Sequence, residues 1–117
     1  MWEIEGTDQF ADWYGGLNAL EQEAIDIALE VLAHDGPGLG RPLVDSIKTS
    51  RHANMKEVRP LGTNIRILFA FDPRRAAILL LGGDKTGQWE KWYRTAIPVA
   101  DDLYDEHLST LKAEGHL

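Results

Sequence analysis

Cysteine is absent from this chain of 117 residues. Disulfide bonds, zinc sites with thiolate ligands and thiol catalysis are therefore excluded, and a reducing cytoplasm is the predicted location. Long apolar runs are missing as well, because no stretch reaches the roughly 18 apolar residues that a membrane-spanning helix needs. The first ten residues have neither the basic part nor the apolar part of an export signal. We therefore expect a chain that is neither exported nor inserted in a membrane.

Sequence motifs for metals and nucleotides are also missing. The four histidines, His34, His52, His107 and His116, are too scattered to form a recognisable ligand pattern. The chain has no Walker motif, no glycine-rich dinucleotide motif, no GxSxG sequence and no HExxH sequence. We therefore expect no metal site and no cofactor.

Basic residues are missing from the first third of the chain. Residues 1–35 hold nine carboxylates and no lysine or arginine, whereas residues 36–95 hold eleven lysines and arginines against five carboxylates. The formal net charge of −7 argues against a nucleic-acid ligand, but this segregation gives the middle of the chain a positive field of its own. A ligand that carries phosphate is therefore compatible with the middle segment.

The composition predicts a single domain over residues 1–117. At 44% hydrophobic residues, the chain is long enough to bury one core without help from a metal or a disulfide. No internal repeat or low-complexity segment divides it.

Periodicity predicts a strand and two helices in the acidic first third. Alternation over residues 2–5 indicates a short strand, and Thr7 can cap a helix that ends at the glycine pair 15–16. Asn18 followed by Glu21 resembles a capping box for a second helix over residues 19–34, with Gly36 at its C-terminal end. The expected apolar stripe of this helix consists of Leu20, Ala24, Ile27, Ala28, Val31 and Leu32. Its opposite face carries Glu23, Asp26 and Glu30. These carboxylates could form a metal site or a docking surface, but we favour a solvated surface.

Three apolar runs at residues 55–59, 65–71 and 76–82 predict an antiparallel meander. Strict alternation in the middle run places Arg66 on the face opposite Ile65 and Ile67. A further edge strand is expected within residues 43–48, and Pro98 fits the first turn of a last helix. The predicted fold is α+β: two helices pack on one face of an antiparallel sheet, and the C-terminal helix lies beside the sheet edge.

Cationic side chains converge on this meander. Alternation allows Arg59 and Arg66 to share a face, and Lys85 follows the end of the next strand. Arg74 and Arg75, in the preceding turn, are expected to point into solvent. Two interpretations remain open at this stage, an ordinary half-solvated sheet and a site for an anion.

The order of these segments resembles the HigB-like branch of the RelE/ParE toxin superfamily. The blocks that carry the resemblance are Glu57-Val58-Arg59, Ile65-Arg66-Ile67-Leu68-Phe69, Leu81-Gly82-Gly83-Asp84-Lys85 and the last helix. The resemblance implies a RelE-like fold and a type II toxin that cleaves mRNA, commonly on the ribosome. We expect cleavage to need no metal, because the predicted catalytic face has no carboxylate cluster and the chain has no cysteine. The resemblance also implies a cognate antitoxin of the helix-turn-helix type, through which an oligomer could form. A poison of a protein target such as DNA gyrase, or an interaction module bound by an antitoxin, is the alternative.

The resemblance also implies roles for individual residues. Arg59 and Arg66 stand at the arginines of the first two blocks, and Lys85 stands in a block that has lost its aromatic residue and one of its two lysines. The candidate catalytic residues are Arg66, Lys85, Arg59, His52 and Asp84, and the candidate RNA-binding residues are Arg51, Lys56, Lys91, Tyr93 and Arg94. Arg66 suits bidentate phosphate binding, whereas the proton carrier remains open among His52, Asp84 and Tyr93. For Trp89, Trp92 and Tyr93 we favour packing of the last helix over stacking on bases.

Overall fold

The structure is a computed structural model that describes all 117 residues except the side chain of Trp89. Its five strands and three α-helices follow the order β1 (Ile4–Gly6), α1 (Asp8–Gly15), α2 (Ala19–Asp35), β2 (Val44–Ser46), β3 (Lys56–Val58), β4 (Ile65–Phe71), β5 (Ala77–Asp84) and α3 (Trp89–Ala113). A single 3₁₀ turn at Gly36–Gly38 follows α2. The predicted α+β architecture is confirmed.

The five strands form one sheet in the order β1-β5-β4-β3-β2. Strands β2 to β5 pair antiparallel, as the meander predicted, and β4 covers the expected residues. The prediction of a wholly antiparallel sheet is wrong for β1, which pairs parallel to β5. Hairpin turns dictate antiparallel pairing, but β1 reaches the free edge of β5 from far away in the sequence, and either direction is then possible.

Helices cover both faces of the sheet. One apolar cluster joins α1 and α2 to inward-facing residues of the strands, including Ile67 and Phe69. A second cluster joins α3 to the other face, where Leu68 and Ala70 of the same strand take part. The predicted alternation of β4 is therefore confirmed, whereas the predicted position of the last helix beside the sheet edge is wrong. The apolar stripe of α3 needs a face to cover, and the meander leaves one uncovered.

Helix α3 begins at Trp89, so Pro98 lies in its interior and not in its first turn as predicted. Proline has no N–H to donate to the carbonyl of the preceding turn. The carbonyl of Arg94 therefore receives no hydrogen bond from residue 98. Arg94 and Pro98 both lie on the exposed side of the helix, where water can donate to this carbonyl instead. The helix therefore continues through a residue that sequence rules treat as a start signal.

The ends of α1 and α2 follow the sequence signals. The Thr7 hydroxyl accepts from the Phe10 N–H, and Asn18 and Glu21 form a reciprocal capping box. Gly36 ends α2 with a φ of 65°, in the region that favours glycine. Among the helices that the structure describes, we find none with the length and apolar character to cross a bilayer.

The buried face of α2 differs from the predicted stripe. Ile25, Ala28 and Leu32 point into the core, whereas Leu20 and Ile27 are 78% and 56% exposed. Apolar residues occupy more than half of the circumference of this helix, so the sequence pattern fits two overlapping faces and does not decide between them.

Candidate functional site

Arg66 is a buried cation near the start of β4. It lies on the α3 side of the sheet, and the whole residue is 6% exposed. Its Nη1 donates to the carbonyl of Ile65 at 2.7 Å, and its Nε lies 3.8 Å from Oε1 of Glu57. A guanidinium held in this way is fixed in orientation, which favours recognition of a planar or tetrahedral anion.

Glu57 is the carboxylate that accompanies Arg66, and the sequence analysis missed its part in this site. It lies on β3, is 6% exposed, and accepts a hydrogen bond of 2.7 Å from the Tyr93 hydroxyl of α3. Burial, followed by this bond, raises the pKa of Tyr93 to about 12. Tyr93 is therefore a proton donor at neutral pH. A signal was available in the sequence, because alternation places Glu57 on the same face as Arg59.

Lys85 follows β5 and is 1% exposed. Its ammonium lies 5.6 Å from the centre of the Tyr93 ring. Burial and the positive charge of Arg66 lower the pKa of Lys85 from its ordinary value of 10.5 to about 8, and Glu57 only partly opposes them. A lysine with this pKa is close to the range in which one amine can both accept and donate a proton.

Arg59 completes this group of side chains. Its charge is a further cause of the lowered pKa of Lys85, and its Nη1 lies 3.9 Å from the Asp45 carboxylate. We call Arg59, Arg66, Lys85, Glu57 and Tyr93 the Arg66 cluster. The predicted convergence of the three cations is confirmed as a matter of position, while their catalytic roles stay predictions.

Two glycines of β5, next to the Arg66 cluster, make room for aromatic rings on the two faces of the sheet. A Cβ at Gly83, which pairs with Arg66 in the sheet, would clash with the indole of Trp92 on α3. A Cβ at Gly82 would clash with the ring of Trp13 on α1. The glycine pair therefore permits the close approach of a helix on each face of the strand.

A pocket of about 760 Å³ opens beside the Arg66 cluster, between α3 and the loop that joins β2 to β3. Glu57 and Tyr93 line it, and its walls carry the cations Lys48, Arg51 and Arg94 together with the carboxylates Glu90 and Asp101. A chain with phosphates could therefore approach the buried group along a wall of mixed charge, on the side where the cations lie.

Lys56 does not belong to this side of the sheet. It precedes Glu57 in β3, so its side chain emerges on the α1 and α2 face, where its Nζ donates to the carbonyl of Pro37 at 3.2 Å. A ligand held by Arg66 on the α3 side would not reach it. The expectation that Lys56 adds to the same cationic site is therefore wrong, because neighbouring residues of a strand point to opposite faces.

His52 and Arg51 bind the carboxylates of α3. His52 Nε2 lies 2.8 Å from Asp105, and its ring packs edge-on against Tyr104. Arg51 forms ion pairs with Asp102 and Asp105. Tyr104 contacts the far end of β4, about 16 Å along the strand from Arg66. The structure therefore does not bring His52 to the Arg66 cluster, although Arg51 lines the pocket.

Asp84 also engages its own loop. Its carboxylate accepts hydrogen bonds from the backbone N–H and the hydroxyl of Thr86, and these bonds lower the pKa of Asp84. The side chain is exposed. Such an arrangement is typical of a residue that shapes a turn.

The first turns of α3 carry the remaining candidates. Lys91 and Arg94 are exposed, and Trp92 and Tyr93 pack on the α3-facing apolar cluster and edge-on against each other. The preference for packing is therefore confirmed for Trp92 and Tyr93. The side chain of Trp89, which belongs to the same prediction, lies outside the described residues.

Arg74 is exposed, as expected, but its side chain also has partners within the chain. It forms ion pairs with Asp72 at 2.8 Å and with Glu5 at 3.1 Å, and Arg75 lies over the Trp2 ring at 4.4 Å. The pairing of β1 with β5 brings the Glu5 carboxylate to this turn.

Among the residues described, no group of three or more histidines and carboxylates is placed to hold a metal ion.

This chain matches a known protein family and is similar in sequence to two known proteins. The model of the family described as "Phage derived protein Gp49-like" matches residues 12–105. "Putative toxin HigB3" of Mycobacterium tuberculosis is 50% identical over 107 residues, which cover 92% of this chain and 94% of that protein. "Putative toxin HigB2" of the same species is 47% identical over 106 residues and 88% of this chain, which spans only 53% of that relative.

A solved structure has the same fold. The toxin–antitoxin complex RelBE2 of Mycobacterium tuberculosis contains a chain that matches with a TM-score of 0.54 and 15% sequence identity, covering 71% of this chain and 96% of that one. At this level of identity the match supports the RelE-like fold.

Proposed function

This chain belongs to the phage-derived Gp49-like toxin family, and we propose that it is a metal-independent endoribonuclease that cleaves mRNA. The observation that carries the proposal is the Arg66 cluster. Three cations lie around the carboxylate of Glu57 at one end of the sheet, and burial, followed by the positive charge of Arg66, lowers the pKa of Lys85 to about 8. A buried group with excess positive charge is suited to an anionic ligand.

RNA makes modest demands on such a site, because its own 2′-OH is the nucleophile. The new bond joins the 2′ oxygen to phosphorus, and the bond from phosphorus to the 5′ oxygen breaks, leaving a 2′,3′-cyclic phosphate. Arg66 binds the phosphate through its guanidinium fork and stabilises the charge that develops on the nonbridging oxygens.

The two proton transfers fall to Lys85 and Tyr93. Lys85 in its neutral form accepts the proton of the 2′-OH, since its pKa of about 8 leaves a useful neutral fraction near physiological pH. Tyr93, whose pKa is about 12, retains its proton and donates it to the departing 5′ oxygen. His52 and Asp84 have no part in this scheme, because their hydrogen bonds hold them elsewhere.

The arrangement described is closed. Arg66 and Lys85 are buried, and Tyr93 lies over Lys85 while it is bonded to Glu57. Substrate therefore reaches them when the first turns of α3 shift outward from the pocket. Pro98 follows these turns and interrupts the hydrogen bonding of the helix at that point.

A cognate antitoxin is the proposed regulator. Two relatives carry toxin names, and the solved structure with the same fold is a toxin–antitoxin complex. Binding of such a partner would hold the toxin inactive until the partner is degraded or displaced.

The test is cleavage of a labelled mRNA fragment by the purified chain in excess chelator, with and without ribosomes. We expect products that end in a 2′,3′-cyclic phosphate, and no cleavage at a site where the 2′-OH is replaced by hydrogen. Intact RNA under both conditions, together with a change in gyrase-dependent supercoiling, would favour a protein poison and overturn the proposal.

A further inference from the structure

An apolar groove runs along α2 on the side of the molecule away from the Arg66 cluster. Leu20, Ala24, Ile27 and Val31 form one stripe of the helix, at the spacing of successive turns. Leu43 and Leu61 face this stripe across a cavity of about 490 Å³. Leu20 is 78% exposed, Ile27 56% and Leu61 64%.

The groove has the shape that a helix needs. From Leu20 to Val31 the stripe spans about 16 Å, or three helical turns. A partner helix that presents an apolar residue every third or fourth position would match this length with three or four anchors. The edge strand β2 is only three residues long and offers little to a partner that adds a strand.

The charge on the α2 wall of the groove is of one sign. Glu23 lines it, and Glu30 lies two turns further along the same side of α2. Both side chains are exposed, and the first 35 residues contain no lysine or arginine. A second copy of this chain would bring the same carboxylates against each other, which opposes a symmetric dimer here.

From this complementarity we propose that the α2 groove binds an amphipathic helix of a partner protein, with lysine or arginine beside its apolar stripe. Under the proposed function, on which this inference rests, the partner is the antitoxin. Because the groove and the Arg66 cluster lie on opposite faces of the sheet, a helix in the groove anchors the partner without filling the pocket. The two sites can therefore be tested independently.

The probe is a labelled synthetic peptide of about 15 residues, four turns of helix, with leucine at every third or fourth position and lysines on either side. A matched peptide has glutamates in place of the lysines. Fluorescence anisotropy against the full chain measures both affinities. We expect saturable binding of the lysine peptide and at least about tenfold weaker binding of the glutamate peptide.

Two single variants and one control locate the peptide. Ile27→Gln and Leu61→Gln should each weaken binding about tenfold, because each removes one apolar anchor. Val99→Gln changes a 42% exposed apolar residue on α3 and should leave binding unchanged. All three positions are exposed, so folding should be retained, and circular dichroism checks this.

The electrostatic part has its own pair of variants. Glu23→Lys with Glu30→Lys should weaken binding of the lysine peptide and flatten its salt dependence, whereas Glu106→Lys on α3 should do neither. Equal binding of both peptides, or binding that survives Ile27→Gln and Leu61→Gln, would overturn the proposal. Self-association of the chain would also overturn the proposal if Ile27→Gln abolished it, because the groove would then bind a second copy of this chain.

RNA cleavage by the same variants separates this inference from the function on which it rests. Unchanged cleavage with lost peptide binding supports both. Normal cleavage with no peptide binding to the parent chain contradicts only the groove, and peptide binding by a chain that never cleaves RNA contradicts only the nuclease.

Discussion

The α3-facing side of the sheet holds buried charged groups at both ends of β4. The two ends differ in the balance of positive and negative charge. At the end of β4, the Asp72 side chain is fully buried. It accepts from the backbone N–H of Ala76 at 3.0 Å and from Arg74 at 2.9 Å, and His107 Nε2 lies 2.8 Å away. Burial acts to raise the pKa of Asp72, but these bonds outweigh it and hold the pKa below its ordinary value.

At the start of β4, cations outnumber carboxylates. Arg59, Arg66 and Lys85 lie around Glu57, and burial, followed by the positive charge of Arg66, lowers the pKa of Lys85 to about 8. The surroundings of Lys85 therefore disfavour its charged form. The surroundings of Asp72, in contrast, favour the charged carboxylate.

This difference separates a structural site from a functional one. A buried ion whose donors are all supplied by the chain fixes the β4–β5 turn against α3. A buried cluster in which cations outnumber carboxylates is suited to an anionic ligand. Variants at the two ends should therefore affect different measurements, stability at one and RNA cleavage at the other.

The largest effect on stability is expected at the end of β4 that holds Asp72. Asp72→Ala removes the acceptor of three donors and should lower the unfolding free energy by about 3–5 kcal/mol. Urea denaturation measures it, and Asp12→Ala, at an exposed position of α1, is the control with an expected change of about 0.5 kcal/mol or less. A loss for Asp72→Ala no larger than that of the control would contradict a structural role for this site.

Arg66→Ala should give the largest effect on cleavage, a reduction of about 10² to 10³ fold, by analogy with removal of one transition-state donor. Lys56→Ala is a matched control, because it removes a cation from the adjacent strand on the opposite face. Single-turnover cleavage of labelled RNA measures both, after circular dichroism confirms folding. If a folded Arg66→Ala variant cleaves at the rate of the parent, the site lies elsewhere.

Tyr93→Phe tests the hydrogen bond to Glu57, the carboxylate at the start of β4. Without the phenol hydroxyl, the buried Glu57 loses a donor at 2.7 Å, and the unfolding free energy should fall by about 1–3 kcal/mol. This is less than for Asp72, because Arg66 still lies 3.8 Å from Glu57. Equal losses for the two variants in the same denaturation series would erase the distinction between the ends.

Local rules predicted much of this fold from the sequence. Alternation assigned the two faces of β4, and capping chemistry placed the starts of α1 and α2. The same alternation indicated that Arg59 and Arg66 share a face. These features depend on neighbours in the sequence, which is why pattern analysis finds them.

Features that depend on distant parts of the chain were not predictable in this way. The direction of β1 is set by the free edge of β5, and the ion pairs of Arg74 follow from that pairing. Pro98 is tolerated inside α3 because its side of the helix faces water. Glu57 was overlooked because its partner Tyr93 comes from a helix whose place in the fold was wrongly predicted.

The most direct test of the Arg66 cluster as a nuclease site is the pH dependence of single-turnover RNA cleavage. If neutral Lys85 accepts the proton, the rate should rise about tenfold per pH unit below pH 8 and level off above it. The pKa of Lys85 is lower in the folded chain than its ordinary value, so this group adds stability as pH rises from about 8 to 10.5. Unfolding linked to Lys85 therefore does not produce the plateau. Lys85→Arg, which stays protonated, should cleave slowly and lose the rise, whereas an unchanged pH profile in that variant would contradict the account.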